Sequence, residues 1–169
     1  MKIRTSFVSN SSSSSFVVAF PKEPTSVEAI IEMLFYPGQE EFYIPWDMDN
    51  YMEGTITHWP IRKVAEVIME QLEGQKPNDF ESIKETLRIW DESYPDQDDF
   101  VKSDGEIDWS AMNEVVEKII KDKAENFLAG HPKSFTYRFK FSDNNGLFES
   151  ALEHGDTFNR VAHLTIPNH

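Results

Sequence analysis

Cysteine is absent from the 169 residues, which excludes a disulfide framework, a zinc–thiolate site and a thiol nucleophile. Positive charge is scarce: 16 Lys and Arg stand against 30 Asp and Glu, a formal net charge of −14. Nucleic acid and anionic membrane repel a chain so charged, so general DNA or RNA binding is disfavoured. No apolar run approaches the ~20 residues of a membrane span. Lys2 and Arg4 are not followed by a secretory h-region; the nearby apolar run Phe16 to Phe20 is short and preceded by serines. The expectation is a cytoplasmic protein with no membrane contact. What is present is a folding composition, 39% apolar and 13% aromatic, long enough for one domain with its own core.

Ile3 to Val8 and Phe16 to Phe20 read as two short strands joined by a serine loop, the second ended by Pro21 and Pro24. A helix follows from Val27 to Phe35, with Thr25 and Glu28 as a capping box and Pro37-Gly38 as its stop. Short strands are expected near Phe42 to Ile44 and Thr55 to Thr57. Pro60 suits the first turn of a second helix with Ile61, Val64, Ala65, Ile68 and Leu72 on its apolar face. Asn78 with Glu81 signals a third, on which Phe80, Ile83, Leu87, Trp90 and Tyr94 recur at helical steps. Asp108 caps a fourth, running from Trp109 to Ala129. Ser134 to Phe141 alternates as a strand with Phe135, Tyr137, Phe139 and Phe141 on one face. After a Ser142–Gly146 turn come a short helix, Leu147 to Glu153, and a last strand, Phe158 to Ile166. The pattern predicts a single α+β domain over residues 1–169, with a small antiparallel or mixed sheet from the terminal strands packed against four to five helices.

The stretch SFVSNSSSSSFVVAF holds five consecutive serines, Ser11, Ser12, Ser13, Ser14 and Ser15. Hydroxyls and successive N–H groups can cup an anion, and serines are targets for phosphorylation. Phosphate loops, however, use glycine for close approach and feed a helix, and neither holds here. A connecting loop whose serines bond their own backbone makes the fewest demands. The start MKIRTSFVSNSSSSSFVV and the later FSDNNGLFESALEHGDTF resemble an uncharacterised group of small bacteriophage and bacterial proteins. Their starts read Arg-Thr/Ser-Gly/Ser-Phe-Val-Ser-Asn, then serines and Phe. Toward the end they show Phe-Ser-Asp, a glycine turn, an acidic helix and Glu-His. The resemblance covers a short stretch at each end and none of the middle. It implies a phage or mobile-element origin and supplies no activity, cofactor or catalytic residue.

Three further groups are candidates. Glu149, Glu153, His154 and His163 fall close together near the end, and two carboxylates with an imidazole can hold a divalent metal or act as a general base. No metalloprotease or similar spacing is present, and Glu149 and Glu153 read more simply as the solvated face of a short helix. Residues 91–108 carry eight carboxylates, Asp96, Asp98, Asp99 and Asp104 among them, against Lys102 alone, half of the chain's net charge. An EF-hand alignment through Asp104-Gly105 puts Phe100, Lys102 and Ala111 where ligands belong, and so fails. DNA mimicry stays open, with a solvated acidic loop as the plain reading. Trp46, Tyr51 and Trp59 alternate with Asp47 and Asp49, a mixture suited to a protein hot spot or a cationic ligand, or to a loop pinned by its aromatics.

No constellation has catalytic spacing. The leading expectation is a non-enzymatic phage or mobile-element accessory protein that binds a host or phage protein through its acidic or aromatic surface. A small metal- or anion-binding enzyme and a virion-associated structural component are the alternatives. The cofactor, if any, is unknown from sequence.

Overall fold

β1, Ser13–Phe20, is buried along all but its first residue. Its continuous apolar run Phe16 to Phe20 suits a central strand with both faces covered. The computed structural model describes residues 13–43, 58–90, 95–142 and 145–168. Along the chain come α1 (Val27–Leu34), a two-strand ribbon of β2 (Glu41–Tyr43) and β3 (His58–Pro60), α2 (Ile61–Leu72), and α3 (Phe80–Trp90). A short 3₁₀ turn (Gln97–Phe100), α4 (Trp109–Gly130), β4 (Phe135–Ser142), α5 (Leu147–His154) and β5 (Ala162–Asn168) complete it.

β1 lies between β4 and β5, antiparallel to both, with Phe16 opposite Phe139 on one side and Thr165 on the other. The terminal strands therefore share a sheet, and the fold is a single α+β domain. Alternation along β1 sends Phe16, Val18 and Phe20 into a core with Tyr137, Phe139, Phe141 and residues of α1, α2 and α5. Val17 and Ala19 face a second core with Ile166, α3 and α4. The sheet is thus the middle of three layers. Each fully buried phenylalanine contributes about 1.5–3 kcal/mol relative to exposure. Phe158 packs its ring 5.2 Å from Phe16 and 5.1 Å from Phe139.

Several boundaries move from the sequence expectation. Ser13, Ser14 and Ser15 are not part of a loop: they extend the strand, pairing with Ser142, Phe141 and Lys140. Ser11, Ser12, the Ile3–Val8 strand and the Thr55–Thr57 strand lie outside the described residues, as does Tyr94. Ser26, not Thr25, caps α1, its hydroxyl accepting from Ala29 N at 3.2 Å. Asp79, not Asn78, caps α3, accepting from Ser82 N at 2.9 Å. Asp108 caps α4 as expected. The last strand starts at Ala162 rather than Phe158. Asp156, at φ 59, and turn bonds such as Val161 N to Phe158 O keep the preceding residues coiled, which holds Phe158 in the core. No described helix is long and apolar enough to cross a membrane.

Candidate functional site: the serine–glutamate junction

Ser13 to Val18, the described part of the first stretch that carries the resemblance, meets the second in space. β1 begins against the end of β4, and α5 folds back over that corner after a turn at Gly146, whose φ of 103 favours glycine. Ser142 N and Asn145 Nδ2 both donate to Glu149 Oε2, at 3.2 and 2.8 Å. One helical turn further, Glu153 is buried and its Oε1 accepts from Ser14 Oγ at 3.1 Å. His154 Nε2 lies 3.6 Å from the other Glu153 oxygen, an ion pair when the imidazole is protonated. Hydrogen bonds of this kind are what make a buried carboxylate tolerable.

The solvated acidic face expected of this helix is therefore corrected. Glu149 is half-buried and Glu153 has a side chain 1% exposed, because the β1 hydroxyl and the β4 end supply donors that solvent would otherwise provide. His163 is directed elsewhere. It is half-buried, its Nδ1 is 3.1 Å from Val161 O, and its ring packs 6.3 Å from Phe16 and Phe158. Among the described residues no group of three or more His, Asp and Glu is placed to hold a metal ion. Ser14 is 7% exposed within a paired strand, so its hydroxyl offers no approach for a substrate and works as a buried clasp between β1 and α5.

The acidic stretch does local work. Asp96 accepts from Asp98 N and Asp104 from Glu106 N, both at 3.1 Å, and Val101 bridges Ile107 around Gly105 at φ 85. Asp98 and Asp99 sit exposed in the 3₁₀ turn. Trp46, Asp47, Asp49 and Tyr51 lie outside the described residues. Trp59 is half-buried, its ring tilted against that of Phe148 at 5.4 Å, so it anchors the β2–β3 ribbon to α5.

Other aromatics face outward. Tyr36 is 68% and Tyr43 57% exposed. They flank a cleft of about 210 Å³ that Arg160 and Asp156 also line. The Arg160 guanidinium lies 4.7 Å from the Tyr36 ring, and its Nη1 donates to Glu32 O at 3.5 Å. Tyr43 packs against His58 at 6.0 Å. At the cleft floor a Cβ on Gly155 would come within 2.6 Å of the Phe42 ring, so the ring seats itself only against a glycine. Sequence reasoning missed Tyr36 and Arg160. The available signal was Tyr36 itself, an aromatic between the helix end and Pro37-Gly38, where no core position remains to receive it.

Set against protein-family models, the curated proteins and the solved structures, the chain matches none.

Proposed function

We propose that this chain is a non-enzymatic accessory protein of a phage or mobile element that binds a host or phage protein in the cytoplasm through the Tyr36–Tyr43–Arg160 surface. The observation that carries this reading is the outward placement of two tyrosines beside an arginine at a shallow cleft. Tyrosine and arginine are the types that dominate interface energetics: they offer large rigid contact area with a polar tip. The chain's terminal stretches, which resemble those of small phage and bacterial proteins, supply the setting. The serine–glutamate junction fits the same reading as a structural clasp that holds α5, and with it the Gly155–Arg160 wall of the cleft, against the sheet.

The test is affinity capture from the native host, comparing wild type with Tyr36→Ala/Tyr43→Ala. A hot-spot pair contributes about 2 kcal/mol or more per residue, more than tenfold in affinity for each. A protein retained by wild type and lost by the double variant is the expected result. Equal retention by both would remove this surface from consideration.

A further inference from the structure

Among the described residues β4 is an edge strand, and an edge strand presents main-chain groups on which another strand can form. Here four alternate residues send those groups outward, and each meets a partner from elsewhere in the fold. Thr136 O accepts from Asn78 N at 2.6 Å, and Ser142 N donates to Glu149. Between these fixed ends the partners are two glutamine side chains, Gln71 on α2 and Gln75 just beyond its end. Gln75 Nε2 donates to Arg138 O at 3.1 Å. Gln71 both donates to Lys140 O at 3.3 Å and accepts from Lys140 N at 3.4 Å. That two-way exchange with one residue is what the opposing residue of a neighbouring antiparallel strand makes. The Gln71 bonds are long, and both glutamines sit near solvent, so they are easily exchanged for better ones.

Beside this edge runs a groove of about 760 Å³, with α2 and α3 as walls. Arg138 and Lys140 line it from the strand, and Glu81 and Glu85 from α3. At its Thr136 end, Asn78 is among the lining residues, and its buried Nδ2 has no hydrogen-bond partner among the described residues. Main-chain groups at strand spacing and both signs of charge together match a polypeptide backbone with charged side chains.

We propose that this groove takes an extended segment of a partner protein, which displaces Gln71 and Gln75 and adds to the sheet beside β4. Acidic side chains of the segment meet Arg138 and Lys140, and basic ones meet Glu81 and Glu85. A second copy of this chain is the weaker occupant, because two bodies of net charge −14 repel one another. The surface is separate from the one around Tyr36 and Tyr43.

The probe is a display library of random dodecapeptides, selected on the wild-type protein. Enriched peptides should slow hydrogen exchange at Arg138 and Lys140. N-methylation of one alternate set of peptide amides should weaken binding about tenfold per lost bond, while methylating the other set changes little. Gln71→Ala/Gln75→Ala should bind the same peptides more tightly, because the competing amides are gone, and Tyr36→Ala/Tyr43→Ala should bind them unchanged. A selection that enriches nothing overturns the proposal. So do peptides that protect another surface or are indifferent to which amides are methylated. If the glutamine variant instead dimerises and binds no peptide, the occupant is a second copy and the proposal fails.

Discussion

Glu153 is a carboxylate held inside the fold, and a buried charge costs several kcal/mol unless its oxygens are bonded. Ser14 supplies one of those bonds from a strand on the far side of the sequence. Removing the hydroxyl leaves the acceptor under-satisfied, so Ser14→Ala should lower unfolding free energy by about 1–3 kcal/mol. Ser13→Ala, at a half-buried strand end, should stay within about 0.5 kcal/mol. Urea unfolding of the two variants side by side checks this. Equal stability of Ser14→Ala and wild type would show that the clasp contributes nothing. Both partners stood out in the sequence, but their contact did not. A run of identical serines has no periodicity to mark where the strand begins. The direction of Glu153 depends on the rotation of α5 about its axis, which tertiary packing sets.

At the scale of elements, α3 and α4 are fastened together at the surface by Arg88. Its Nε and Nη2 donate to the two oxygens of Glu117 at 2.8 and 2.9 Å, and Nη1 donates to Glu85 at 2.7 Å. The hydrogen bonds from Arg88 hold the Glu117 carboxyl below its usual range. A lowered folded-state value means stabilisation that is present above the ordinary glutamate pKa and lost as pH falls through the lowered one. Glu117→Gln should therefore be less stable than wild type at neutral pH and converge with it in acid, once the pH has fallen through the lowered folded-state value. Urea midpoints at both conditions decide the matter, and a difference that persists in acid would mean the effect is not electrostatic. The helices themselves were legible from the spacing of Ile61, Val64, Ala65, Ile68 and Leu72, and from Asp108 at the head of α4. Caps shifted by one residue where neighbours qualified equally. Asp79 takes the role read for Asn78 because Asn78 N is already committed to Thr136 O, a contact between distant parts of the chain.

For the whole molecule, the shared sheet of terminal strands was readable from the alternation of Phe135, Tyr137, Phe139 and Phe141 and the apolar run of β1. The layering was not: a continuous run such as FVVAF says that both faces are covered but not by which helices. Because β5 forms one entire flank of β1, a chain shortened to end at Val161 should lose its cooperative urea transition and its near-ultraviolet circular dichroism. A shortened chain that still unfolds in a single sharp step would show that β4 alone suffices. The placement of β1 between strands from the far end also sets a schedule for biosynthesis. The segment that becomes β1 leaves the ribosome before either neighbour exists, because β4 starts only at Phe135 and β5 at Ala162. At about 5–20 residues per second the wait lasts seconds. During that interval Phe16, Val17, Val18 and Phe20 have no sheet to enter. The nascent chain then depends on chaperones, or on the helices made meanwhile, to keep its most apolar stretch from associating with others.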